Sequence, residues 1–154
     1  MIEKLDAIDI KILRAMQENA RLTTKELAAR VNLSSTPVFE RLKRLERDGF
    51  IRRYVAVLNA EKLNRGFMVF CCVKFTKMTT PVATEFYEYV RKLPEVTECY
   101  TISGNFDAML KVHAADMKSY KEFLLNELGS MDSVTSIESI FVMDEVKANS
   151  GLNI

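Results

Sequence analysis

Two short amphipathic stretches joined by a tight polar turn, Leu22–Ile51 (LTTKELAARVNLSSTPVFERLKRLERDGFI), constrain this chain more than any other segment. Thr23 and Glu26 have capping-box spacing, in which hydroxyl and carboxylate each satisfy an orphan amide at a helix start. A helix is therefore predicted from Thr24. Leu27, Ala28 and Val31 supply its apolar stripe, and Asn32 tolerates the left-handed conformation that ends a helix. After the turn, Ser34 or Ser35 can cap a second helix, with Pro37 in the first turn where a missing amide hydrogen costs nothing. Gly49 closes that second helix.

At about 100° per residue the second helix sorts its side chains by face. Val38, Leu42 and Leu45 gather on a buried side, whereas Thr36, Glu40, Lys43 and Arg47 point the other way, flanked by Phe39 and Arg44. A helix-turn-helix reads bases with the first part of its second helix and holds phosphates with surrounding cations. Ser35, Thr36 and Glu40 are the candidate base readers. Glu40 can accept from a cytosine amino group but would repel phosphate. Lys43, Arg44 and Arg47 are candidate phosphate clamps, with Ser34 and Arg41 on the same helix and Arg52 and Arg53 on the exit segment completing the contact set.

The charge distribution agrees with this placement. The net charge of +1 divides unevenly: residues 1–60 hold 12 Lys+Arg against 8 Asp+Glu, or +4, and residues 61–154 hold 10 against 13, or −3. The positive end carries the helix-turn-helix. A surplus of +4 is modest, so binding to double-stranded DNA is expected to need two or more copies on one duplex. No apolar run approaches the ~18 residues that span a bilayer, and no signal pattern opens the sequence, so a cytoplasmic protein with no membrane partner is expected. Cys71, Cys72 and Cys99 form no Cys-x-x-Cys and are expected as buried thiols, with no metal site. His113, the single histidine, sits in an alternating strand pattern and is expected to be structural. No catalytic residue and no cofactor are expected.

The remaining pattern gives two domains. Leu5, Ile8, Ile12 and Met16 recur at helical spacing and supply a third helix over the other two, with Asp6 and Asp9 suited to its first turn. Phe50–Leu58 reads as a strand leaving this unit, and Asn59–Gly66 as a linker, with room for one helical turn. Next come a strand over Gly66–Thr76, a helix over Pro81–Leu93, a strand over Val96–Ser103, and a two-residue type II′ turn at Gly104-Asn105. A strand over Phe106–Ala114, a helix capped by Asp116 and ended by Gly129, and a strand over Val134–Val146 complete the order. The order βαββαβ describes a ferredoxin-like sandwich, an antiparallel sheet with both helices on one face. Phe70, Cys72, Val112 and Phe141 leave apolar side chains on both sheet faces, so two sheets are expected to pair between subunits.

The stretches LDAIDIKIL, ENARLTTKELAARVNLSSTP, RLKRLERDGFI, ECYTISGNFD and FVMDEVK resemble the Lrp/AsnC (feast/famine) family of transcription regulators over most of the chain. The resemblance implies an α+β protein: a winged helix-turn-helix DNA-binding domain over residues 1–59, a linker over 60–66, and a ligand-sensing, oligomerising domain of dimeric α/β-barrel type over 67–154. It implies a homodimer that assembles into rings of about eight chains, closed by symmetry. It also implies a free amino acid such as leucine as effector, bound near a turn between neighbouring C-terminal domains. On this chain those positions are Gly104, Asn105, Phe106 and Asp107, with Tyr100 leading in and Ser139 on the last strand, where relatives carry a threonine. Turn amides suit a carboxylate, Asp107 suits an ammonium group, and Met109 or Met143 would suit a branched apolar side chain. Two alternatives share the fold: a sirohaem-decarboxylase-like enzyme, for which a single histidine is poor equipment, and a ligand-insensitive protein that wraps DNA.

Overall fold

In a computed structural model of the chain, residues 5–148 and 151–154 are described. They form two compact units, one running to Val57 and including Lys147–Ile154, the other spanning Leu58–Val146.

The first unit is built from three helices, α1 (Ala7–Glu18), α2 (Thr24–Val31) and α3 (Ser35–Arg47). Each start follows from local chemistry. Asp6 and Asp9 form a reciprocal capping box on α1, and Thr23 and Glu26 do the same on α2. Asn32 ends α2 at φ 56°, the left-handed conformation expected of it. Ser34 occupies the N-cap position of α3, but its hydroxyl makes no capping bond; Val38, one turn on, is buried. Ile12, Leu27, Val38 and Leu45 are fully buried where the three helices meet. Burial of each such side chain is worth about 1.5–3 kcal/mol, so Leu27→Ala is the single change most apt to loosen α2 from its neighbours.

Two features of this unit differ from expectation. Phe50–Leu58 is not a strand: the stretch adopts no regular element, and Val55, Val57 and Leu58 are 64%, 85% and 69% exposed. A strand needs a partner for its backbone groups, and among the described residues none pairs with this stretch. The second difference lies at the described residues after Val146, which were expected with the second domain but group with the first. Gln17 on α1 donates to the Leu152 carbonyl at 3.1 Å and accepts from the Leu152 amide at 2.6 Å. Arg14 Nε donates to the Ile154 main-chain oxygen at 2.5 Å, and Ile154 leans on the helical core. Nothing in the periodicity of a segment this short announces such a return.

The second unit carries β1 (Phe67–Phe75), α4 (Thr80–Val90), β2 (Val96–Thr101), β3 (Ala108–Ala114), α5 (Met117–Asn126) and β4 (Val134–Phe141). A 3-10 turn at Glu61–Leu63 precedes β1 and another at Leu128–Ser130 follows α5. The antiparallel sheet has the order β2-β3-β1-β4, which is the ferredoxin-like topology. Alternation along the strands decides what each face buries. Val69, Cys71, Val73, Leu110 and Val112 join Phe86, Val90, Tyr120 and Phe123 from the helices in one core. The opposite face presents Met68, Phe70, Cys72, Met109 and Ile140, the last 48% exposed. β4 stops at Phe141, short of the expected Val146; the Val142 amide makes one further bond, to the Met68 carbonyl at 3.1 Å, next to the start of β1 at Phe67.

Candidate nucleic-acid interface and ligand-sensing turn

Helix α3 buries Val38 and Leu45 and turns its other side to solvent. Ser34, Ser35, Thr36, Glu40, Lys43 and Arg47 are all exposed, as are Arg52 and Arg53 beyond the helix. The face predicted to read bases is therefore open from the turn to the last helical turn. Lys43 pairs with Glu46 at 2.9 Å, and Arg47 with Asp48 at 2.8 Å; both are pairs within the helix or beside it that solvent screens.

Arg41 and Arg44 are placed differently from the other cations. Arg41 Nη1 reaches Asp6 at 2.6 Å and Asp9 at 2.8 Å, while Arg44 Nη2 reaches the other Asp9 oxygen at 2.6 Å. Asp9 is 1% exposed. Its burial disfavours the charge, but the Asp6 amide and the two guanidinium groups outweigh that and hold its carboxyl below the usual range. The Asp9 amide and Arg41 do the same for Asp6. Both arginines thus fix α3 to α1. The sequence pointed them at phosphate, and the signal that pointed elsewhere was the pair of aspartates at the start of α1.

In the second unit the turn between β2 and β3 is longer than a two-residue hairpin. Thr101 pairs with Ala108, and the Ile102 amide donates to the Asp107 carbonyl at 3.0 Å, leaving residues 103–106 to make the bend. Gly104 sits at φ 131°, a conformation that a side chain would strain. Asn105 is exposed and Phe106 half-buried. Asp107 is turned inward, 9% exposed. Its Oδ2 accepts from the Phe75 amide at 2.9 Å and its Oδ1 from Lys74 Nζ at 3.2 Å. The Phe75 amide, opposed by desolvation and assisted by Lys74, holds this carboxyl below the usual range. Lys74 was missed, although it is the one charge in the run GFMVFCCVKFT.

Tyr100 and Ser139 do not converge. Tyr100 lies opposite Met109 on the open sheet face, is 47% exposed, and donates to Glu98. Ser139 lies opposite Cys71 on the face covered by helices. There Tyr120 Oη stands 2.5 Å from Ser139 Oγ and 2.9 Å from Cys71 Sγ. Ser139 therefore completes a half-buried polar contact behind the sheet, on the side away from Tyr100. Burial pushes the Cys71 thiol up to about 11. Cys72 is buried as expected, whereas Cys99 is exposed on the edge strand β2. Nδ1 of His113 stands 3.0 Å from the Arg65 carbonyl oxygen, a structural contact. Met143, expected to suit an apolar ligand side chain, is 99% exposed.

Known proteins share this arrangement throughout. Residues 5–52 match the winged helix-turn-helix DNA-binding family, and residues 68–152 match the Lrp/AsnC ligand binding domain. The chain is 39% identical to the leucine-responsive regulatory protein of Escherichia coli K12 over 148 residues, 96% of this chain and 90% of that one. Among solved structures it is similar to a transcriptional regulator of Neisseria meningitidis in complex with L-Met, with a TM-score of 0.93, 39% identity and 97% of each chain covered. It is also similar to an AsnC family transcriptional regulator of Agrobacterium tumefaciens, with a TM-score of 0.92, 34% identity and 97% of each chain covered. A three-helix unit whose third helix turns an open, polar face to solvent, followed by a ferredoxin-like unit matched to a ligand-binding domain, makes this chain a member of the Lrp/AsnC family of DNA-binding transcription regulators.

Proposed function

We propose that this regulator is a non-catalytic, cytoplasmic sensor of free amino acids that reads DNA through α3 as a homodimer or a larger ring. The observation that carries the DNA half is the exposure of Ser35, Thr36, Glu40, Lys43 and Arg47 on the side of α3 opposite its buried residues. Ser34, Ser35, Thr36 and Glu40 contact base edges; Lys43, Arg47, Arg52 and Arg53 contact phosphates; Arg41 and Arg44 position the helix. Assembly is supported by the apolar open face of the sheet, where Met68, Phe70, Met109 and Ile140 would be covered by the same face of a second copy. About eight chains per ring follows from the family resemblance, and the sensing and assembly domain is the part of residues 67–154 that lies in the second unit, up to Val146.

The effector half rests on the second unit's turn. A free amino acid brings a carboxylate and an ammonium group; amides at Gly104, Asn105 and Phe106 can donate to the first, and Tyr100, with the acceptor capacity that Phe75 and Lys74 leave on Asp107, offers oxygens to the second. The Neisseria relative was solved with L-Met, which supports an effector with an unbranched apolar side chain alongside leucine. Ligand changes DNA affinity only insofar as it binds one assembly better than another. A thermal-shift screen of the twenty amino acids on the full chain tests this. One clear stabiliser supports the reading, and a flat screen contradicts it.

A further inference from the structure

We infer that Phe39 is a specificity-determining residue of α3 and that its ring contacts the C5-methyl group of a thymine in the major groove. Phe39 is 48% exposed although it is a large apolar side chain on a helix otherwise sorted by polarity. It lies outside both hydrophobic clusters of the described residues. Lys43, one helical turn on, places its ammonium 5.8 Å from the ring centroid. A cation resting on an exposed ring holds the ring without burying it, so apolar surface stays available on the helix face that approaches DNA.

Two chemical facts select the thymine methyl as the partner. It is the one methyl group that base edges present in the major groove, and so the largest apolar feature there. Phe39 is also followed at once by Glu40, whose carboxylate is repelled by phosphate and accepts only from base amino groups. The outward face that Phe39 flanks therefore suits base edges better than the phosphate backbone. The neighbouring Thr36 hydroxyl and Lys43 ammonium supply polar contacts around the ring, which gives a site that prefers thymine next to a hydrogen-bonded pair.

This inference rests on α3 as the sequence reader, and the test separates the two. Full-length wild type, Phe39→Ser and Phe39→Leu are each used to select duplexes from a randomised library, and the wild-type site is remade with each thymine replaced singly by deoxyuridine. In wild type, loss of the methyl at one thymine per half-site lowers affinity about fourfold, the equivalent of ~0.8 kcal/mol for one buried carbon. Phe39→Ser is indifferent there and no longer enriches thymine at that position; Phe39→Leu keeps the preference in weaker form. Enrichment reports relative preference, so weak binding by a variant does not mask the result. Wild type indifferent to every deoxyuridine exchange, or Phe39→Ser as sensitive as wild type, overturns the inference. Failure of wild type to enrich any sequence overturns the reading of α3 itself, and the inference with it.

Discussion

Asp9 and Arg44 meet at 2.6 Å across α1 and α3, and the carboxylate is buried while the guanidinium is one-third exposed. With Arg41 on the other Asp9 oxygen, this pair decides where the recognition helix lies. Asp9→Ala removes both guanidinium contacts and the bond to the Asp6 amide but leaves Arg44 partly solvated and Arg41 on Asp6, so it should destabilise the first unit by about 1–3 kcal/mol. Chemical denaturation followed on that unit measures it; a loss near zero would mean that α3 is held by its apolar face alone.

The same carboxylates set a pH window. Asp6 and Asp9 both have folded pKa values below the ordinary 3.8, so their contribution is complete above that value. It is lost as pH falls below 3.8 toward the depressed folded values, because the unfolded chain then takes up protons first. Acid unfolding of wild type should therefore show a steeper loss in that window than Asp9→Asn does. Equal profiles would show that the pair is not linked to folding.

Arg52 and Arg53 stand exposed beyond the end of α3. Replacing both with alanine should weaken binding to all duplexes and make the salt dependence shallower by about 0.9 for each phosphate no longer neutralised. Arg44→Ala, in contrast, should act mainly through stability. A gel-shift titration at several salt concentrations, paired with melting curves, separates these effects.

Gln17 grips the Leu152 backbone in both directions, Arg14 holds Ile154, and Ile154 packs on the core, so removal of residues 147–154 should lower the stability of the first unit by about 2–4 kcal/mol. Hydrogen exchange should rise in α1 and leave β1 unchanged. Faster exchange throughout, or in neither, would contradict the attachment.

Ser139 should behave as a structural residue. Ser139→Ala removes one neighbour of the buried Tyr120 hydroxyl and should cost about 1 kcal/mol without altering the amino-acid response. An unchanged melting temperature with a lost response would return it to the effector site.

Most of the fold was legible because it depends on local chemistry. Capping boxes at Asp6 and Thr23, the left-handed Asn32 and the alternation Val69, Cys71, Val73 are written in neighbouring residues. What escaped depends on distant partners. Whether Phe50–Leu58 pairs as a strand depends on a partner that no described residue supplies, and the return of residues 147–154 rests on two side chains of α1. At the sites, the residue types were readable but their commitments were not. Arg44 looks the same in sequence whether it faces phosphate or Asp9, and Asp107 gives no hint that the Phe75 amide and Lys74 already occupy it.

The most direct measurement is the affinity of the full chain for its selected duplex, by fluorescence anisotropy, with and without L-methionine or L-leucine, for wild type and Asp107→Ala. One of these amino acids should change wild-type affinity about fivefold or more, and the variant should bind DNA normally and not respond. Wild-type affinity that neither amino acid alters, or an Asp107→Ala response equal to that of wild type, would contradict an amino-acid site at this turn.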